Sequence, residues 1–230
     1  MARKKHWWIL PAALLLLIAA ALLVFALDYY RAGDQALPAL RSDSVTVEET
    51  AFGWRFDGPS TERALIFYPG ARVDAASYAP LLHRLAEEGV DVFLVEMPLH
   101  FALFGEDRAD AILAQYDYAR WYIGGHSLGG VSAVRYAASH ELSGIVLLAA
   151  YPTEAVDEPM LLIYGSEDGV LNMERVREAP RYGRVETVRI PGGNHAQFGD
   201  YGEQAGDGAA TVSAREQQEE TVAAIAAWLP

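Results

Sequence analysis

Apolar and polar positions follow two different patterns along this chain. From Trp7 to Leu27 there are 21 residues without a charge, with one proline, Pro11, near the start. A helix of that length spans about 30 Å of hydrocarbon, and a proline in its first turns is tolerated. Past residue 27 the pattern changes. Short apolar runs of strand length alternate with amphipathic stretches of helix length. Residues 28–42 read as a polar linker containing Gly33 and Pro38, and residues 45–48 and 52–56 as a lead-in hairpin. A strand is expected over 64–68, a helix over 78–88 closed by Gly89, and a strand over 90–95. A loop over 96–105 then leads to a helix over 108–118 and a short strand over 120–123. A helix over 131–139, strands over 144–149, 160–164 and 184–190, and a terminal helix over 215–229 complete the series. Alternation of this kind predicts an α/β fold, a mostly parallel sheet with helices on both faces. The division expected is a membrane segment over 1–27, a linker over 28–43 and one catalytic domain over 44–230.

Between the strand at 120–123 and the helix at 131–139 stands Gly124-Gly125-His126-Ser127-Leu128-Gly129-Gly130. It contains Gly-x-Ser-x-Gly in a strand-to-helix context, the nucleophile-elbow pattern. Such a turn holds a serine in a strained backbone with its hydroxyl raised above the sheet. Side chains on the flanking glycines would collide with the neighbouring strand or helix. The helix that follows directs the positive end of its dipole at the site.

Two more strands each end in residues suited to complete a triad. Met160–Tyr164 runs into Gly165-Ser166-Glu167-Asp168-Gly169, and residues 184–190 run into Pro191-Gly192-Gly193-Asn194-His195. Ser127, Asp168 and His195 therefore each follow a predicted strand, where catalytic groups gather in open α/β sheets. Glu167, Asp157 and Asp200 are the competing acids. An imidazole with an ordinary pKa near 6.5 can take the serine proton and return it at neutral pH. An aspartate can fix its tautomer and stabilise the imidazolium.

The order Ser, Asp, His is that of α/β-hydrolases, and residues 62–230 resemble that superfamily. The likeness is carried by Gly-His-Ser-Leu-Gly-Gly, Tyr164-Gly-Ser-Glu-Asp168 and Gly193-Asn-His195. It implies Ser127 as nucleophile, Asp168 as acid and His195 as base. It also implies an oxyanion hole built from the backbone N–H groups of Leu128 and of Ala71, in the loop Pro69-Gly70-Ala71-Arg72. Many relatives carry His-Gly-x where this chain has Pro69-Gly70-Ala71. Only residues 150–159 separate two strands at the point where larger relatives insert a lid, so none is expected. Two loops are candidates for shaping the pocket, the apolar 97–104 and the stretch 197–202 after the histidine. The first either lines an acyl pocket, dips toward a membrane or packs as core. His126 reads as structural, His100 as not catalytic, and His6, His83 and His140 as incidental. Arg72 reads as solvated.

Arg3-Lys4-Lys5 precedes the apolar span, and Trp7, Trp8, Tyr29 and Tyr30 bracket it. Basic residues ahead of a span predict a cytoplasmic N-terminus and an exported domain. A signal peptide cleaved near Val24-Phe25-Ala26 is the alternative, although its apolar core is usually shorter. Without those three cations the chain carries 15 basic against 31 acidic residues, a formal charge of −16. That balance argues against nucleic acid as a partner and against charge-driven binding to anionic lipid. No cofactor is expected. With no cysteine and no zincin spacing among six histidines, no metal is expected either. The expected activity is hydrolysis of a small-molecule ester through an acyl-serine, as a carboxylesterase or lipase. Thioesterase, amidase and peptidase chemistry on the same triad stay open, as does a non-catalytic binding domain of this fold.

Overall fold

The computed structural model describes residues 9–41, 43–59 and 62–229. Arg3, Lys4, Lys5, Trp7 and Trp8 lie outside the described residues. The first helix, α1 (Ile9–Leu27), is long and apolar enough to cross a membrane, with mean hydropathy 2.8 over Leu10–Leu27 and none of it buried against the protein.

After a short helix α2 (Ala36–Leu40), the chain builds an eight-stranded sheet. The hairpin β1 (Thr46–Thr50) and β2 (Gly53–Asp57) is antiparallel and joins the sheet at one edge. The parallel part begins with β3 (Arg63–Tyr68), α3 (Ala79–Glu87) and β4 (Asp91–Val95), then α4 (Arg108–Gln115) and β5 (Arg120–His126). It continues through α5 (Leu128–Ala137), β6 (Gly144–Leu148), β7 (Met160–Gly165), α6 (Met173–Glu178) and β8 (Val185–Ile190), and α7 (Ala214–Trp228) closes the fold. The spatial order is β1-β2-β4-β3-β5-β6-β7-β8.

The central parallel strands β3, β4, β6 and β7 are largely apolar because both faces of the sheet are covered there. Along β3, Leu65 and Phe67 point to one side with α3 and α7, packing on Leu81, Leu82, Leu85, Val222 and Ile225. Ala64, Ile66 and Tyr68 point to the other, with Ala109 of α4, Ala133 and Val134 of α5 and Val176 of α6. This is the two-residue period of a strand. α7 starts at Ala214 because Ser213 and Glu216 form a reciprocal capping box, which stabilises a helix start by about 1 kcal/mol.

Several boundaries differ from expectation for physical reasons. β5 runs on through Gly124, Gly125 and His126, which pair with β3 and β6 although glycine carries no strand propensity. α5 accordingly starts at Leu128, not 131. α4 stops at Gln115 because Tyr116 turns extended (φ −121°, ψ 150°). Tyr118, no longer helical, reaches Asp91 and Arg55 with its hydroxyl. α6 was not expected, since Val176 is its one buried residue and leaves no periodic signal. Residues 149–159 join β6 to β7 with neither helix nor strand, so no lid stands over the strand ends.

The stretch after α1 is fastened to the domain. Tyr30 bridges to Val73, the Gly33 N–H donates to the Asp200 carbonyl (2.6 Å), and the Gln35 and Ala36 N–H groups donate to Asp200 Oδ2 (2.8 and 3.1 Å). Tyr30, expected in the aromatic bracket of the span, thus packs on the domain, its ring 5.6 Å from that of Tyr201.

Candidate active site

Ser127 is the single residue between the end of β5 and the start of α5. Its backbone sits at φ 52°, ψ −123°, a region that costs a non-glycine residue about 1–3 kcal/mol. The turn holds that strain because its neighbours leave it no alternative. The Ser127 N–H donates to the Leu148 carbonyl (2.9 Å). A Cβ on Gly125 would lie 2.5 Å from the Tyr68 oxygen and 2.6 Å from the Gly129 carbonyl carbon. A Cβ on Gly129 would overlap the carbonyl oxygens of both Tyr68 and Pro69. The glycines therefore let the first turn of α5 press against the chain leaving β3.

Asp168 follows β7 and His195 follows β8, and the structure brings them together. Nδ1 of His195 lies 2.9 Å from Asp168 Oδ2 and 3.2 Å from Oδ1. Oδ1 also accepts from the N–H groups of Val170 (2.9 Å) and Leu171 (2.8 Å), which fixes the carboxylate plane. Both side chains are buried, 1% and 0% exposed. A carboxylate only accepts, so Nδ1 carries the ring proton and Nε2 presents a lone pair. Nε2 is buried and has no hydrogen-bond partner among the described residues. His195 and Ser127 line one cavity of about 180 Å³, walled by Leu128, Val131, Tyr151 and Leu171.

Two supports hold this arrangement, and only the first of them was not foreseen. The first is Asp207. Its Oδ1 accepts from the N–H groups of His195 (3.2 Å), Gly169 (3.1 Å) and Gly208 (2.8 Å), and its Oδ2 from Ala196 (2.9 Å). One carboxylate thus ties the loop holding Asp168 to the loop holding His195. Its place between Gly206 and Gly208 was the one visible signal. The second is His126, expected to be structural. The Gly70 N–H donates to Tyr78 Oη (3.0 Å), Tyr78 Oη lies 2.8 Å from His126 Nδ1, and His126 Nε2 lies 3.1 Å from the His195 carbonyl. Because that carbonyl only accepts, Nε2–H donates to it and Nδ1 accepts from Tyr78. Burial, with His195 nearby, holds the His126 pKa well below the ordinary imidazole value. The ring is therefore neutral and adds no positive charge 4.5 Å from the His195 ring.

The same relay positions the loop after β3. There Gly70 N–H binds Tyr78, Arg72 N–H donates to the His100 carbonyl (2.7 Å), and Val73 N–H donates to the Gly70 carbonyl (3.3 Å). The Ala71 N–H has no partner among the described residues. Leu128 opens α5, so its N–H is one of the first-turn donors that a helix leaves unpaired.

The competing acids are engaged elsewhere. Glu167 binds Ser166, Asp200 holds the segment after α1, and Asp157 is exposed beside the C-terminal end of α5, away from the Ser127 cavity. Arg72 pairs with Asp28 and donates from Nε to its carbonyl (2.8 Å), so it is not simply solvated. His100 stacks on Tyr29 and His140 on Tyr136. Among the described residues no three His, Asp or Glu side chains gather as a metal site requires.

A search of curated proteins by sequence found no match. Solved structures share the architecture at low identity. A predicted CIB-like hydrolase from Thermoplasma acidophilum superposes with a TM-score of 0.60 at 15% identity, covering 80% of this chain and 99% of its own. Carboxyl esterase 2 from the mycorrhizal fungus Tuber melanosporum gives a TM-score of 0.60 at 12% identity, covering 85% and 89%. A ferulic acid esterase from Streptomyces cinnamoneus gives 0.58 at 20%, covering 74% and 67%. The profile of the alpha/beta hydrolase family matches residues 64–219, a span that holds Ser127, Asp168 and His195. With its sheet order, its elbow and that match, the chain belongs to the alpha/beta hydrolase family.

Proposed function

We propose that the protein is a serine hydrolase that cleaves small carboxylic esters through an acyl-Ser127 intermediate. One observation carries the reading. His195 is held on Asp168 by Nδ1, while its unpartnered Nε2 shares a cavity with the strained Ser127. In the first step Nε2 takes the Ser127 proton as Oγ attacks the ester carbonyl, and the imidazolium is stabilised by Asp168. The tetrahedral oxyanion is received by the N–H groups of Leu128 and Ala71, each contributing about 3 kcal/mol to the transition state. His195 then protonates the departing alcohol. In the second step it activates a water that attacks the acyl carbon, frees the carboxylic acid and restores Ser127. No cofactor takes part.

The esterase names of the structural neighbours support ester over amide or thioester as the bond cleaved. At about 180 Å³ the cavity is below the roughly 300–1,000 Å³ of ordinary ligand sites, and its apolar wall of Val131, Val170 and Leu171 suits a short acyl chain. The apolar α1 and the basic Arg3-Lys4-Lys5 favour a single-pass anchor with the domain on the extracytoplasmic side.

The test is labelling of the full chain with a fluorophosphonate probe beside Ser127→Ala, followed by turnover of p-nitrophenyl esters of graded length. Labelling of wild type alone, with fastest turnover of short esters, is the expected result. A folded wild type that neither labels nor turns over any ester would make this a non-catalytic member of the fold.

A further inference from the structure

The loop between β4 and α4 presents Leu99, Leu103 and Phe104 to solvent, 44%, 47% and 55% exposed, in a stretch of six residues. It lies beside the end of α1. Phe25 of α1 stacks on Phe101 (ring centroids 5.4 Å), and Phe101 packs on Phe104 (5.9 Å). Tyr29, two residues past α1, stacks on His100 (3.8 Å). Phe25 is two residues short of the helix end, about 3 Å of rise. A bilayer that covers α1 as far as Leu27 therefore reaches Phe101 and the exposed side chains beside it. Arg31 lies over the Tyr29 ring (4.7 Å) and bonds to its hydroxyl, the pairing of aromatic and cation found at lipid headgroup level.

The loop is also coupled to the candidate active site. The His100 carbonyl accepts from Arg72 N–H, the residue after Ala71, and the turn Ala102–Phe104 packs on α5, the helix that Ser127 precedes.

We infer that this loop is a second membrane contact, in which Leu99, Leu103 and Phe104 enter the interface of the bilayer that α1 spans. The inference rests on the reading of α1 as a membrane span. The occupant is lipid because the apolar patch is continuous with an unburied apolar helix. The strongly acidic domain leaves apolar insertion, not charge, as the means of attachment. The contact would hold the Ser127 cavity at the lipid surface and turn it toward acyl esters dissolved in the bilayer.

The absence of native cysteine makes the test direct. Leu103→Cys in the full chain carries an environment-sensitive fluorophore, in phosphatidylcholine vesicles with and without doxyl-labelled phosphatidylcholine. Glu186→Cys, exposed at the start of β8, is the control. The expected result is doxyl quenching at 103 and none at 186. A label at 103 that reads water, in a chain that resists alkaline extraction, overturns the loop contact and leaves the anchor standing. Release of the chain by alkali overturns both. A label that is shielded from water yet unquenched by lipid identifies a second copy as the occupant and overturns the proposal. None of these readouts needs catalysis, so they stand apart from the hydrolase reading. With activity established, Leu103→Ser/Phe104→Ser should lower turnover of a vesicle-borne ester about tenfold and leave that of p-nitrophenyl acetate unchanged.

Discussion

Gly125→Ala tests whether close packing at the elbow sets the catalytic geometry. The new Cβ would stand 2.5 Å from the Tyr68 oxygen, 2.6 Å from the Gly129 carbon and 2.8 Å from the Gly129 oxygen. All three are backbone atoms, so no rotamer change relieves them. Ordinary contact begins at 3.4 Å, so β3 and β5 must part by about 0.9 Å (3.4 − 2.5) at the register pair Tyr68–Gly125. Tyr68 leads directly into Pro69-Gly70-Ala71, so the Ala71 N–H moves with it. Overpacking of this kind costs about 1–3 kcal/mol of stability, which for a domain of this size lowers Tm by roughly 2–12 °C. A displacement near 1 Å in a catalytic constellation costs about a hundredfold in rate, close to the loss of one oxyanion donor. The expected outcome is kcat on p-nitrophenyl acetate down about 10²-fold, with KM changed far less. Gly144→Ala is the control. Its Cβ would meet Trp228 at 2.8 Å, away from the cavity, so it should cost stability without that loss of kcat. A Gly125→Ala enzyme within about threefold of wild-type kcat, or a Gly144→Ala enzyme equally slowed, would refute the reasoning.

Ser127→Gly should abolish turnover as Ser127→Ala does, yet be more stable than the alanine variant by about 1–3 kcal/mol, because glycine adopts φ 52° without strain; equal denaturation midpoints would remove the strain argument. Asp207→Asn places an amide donor among N–H groups that now meet a carboxylate, and orphaning one costs about 1–3 kcal/mol. We expect kcat to fall about tenfold or more while the fluorophosphonate still labels Ser127 slowly, and an unchanged kcat would show the clamp to be dispensable. Stability should fall as pH drops below about 6.5, because the unfolded chain takes up a proton at His126 that the folded chain excludes. The slope for this residue approaches about 1.4 kcal/mol per pH unit. His83 and His100, also held low by burial, act in the same direction. Urea melts across this range with wild type and His126→Asn check it, and a slope that the variant leaves unaltered would place the proton uptake elsewhere.

The alternation of strand and helix was legible because both faces of the sheet are buried at its centre, which makes β3, β4, β6 and β7 runs of apolar residues, whereas β8 alternates. The elbow was legible because its glycines answer a local steric demand. Where glycine itself forms the strand, as at Gly124 and Gly125, propensity points the wrong way and tertiary pairing decides. Chain order and the positions after strands, both readable along one dimension, narrowed the acid to a few candidates, and the choice of Asp168 over its neighbour Glu167 came from the family resemblance. Asp207 and the Tyr78–His126 relay were not readable. Their partners are backbone amides and a carbonyl brought together only by folding, and such groups leave no mark on residue identity. α6 escaped for the opposite reason, a helix too short and too exposed to need an apolar stripe.

The backbone of residues 29–36 has a practical consequence for anyone who would cut or graft this protein. Asp200 sits five residues beyond His195 and spends its carbonyl and carboxylate on Gly33, Gln35 and Ala36, while the Ala205 N–H reaches the Tyr30 hydroxyl (3.2 Å). The tether is part of the scaffold that steadies the histidine loop. A truncation placed after residue 43, where the sheet begins, would yield a domain with intact strands and a slackened base. One placed before Asp28 keeps the scaffold whole, including the pair that Asp28 makes with Arg72, and any replacement anchor would have to be joined there.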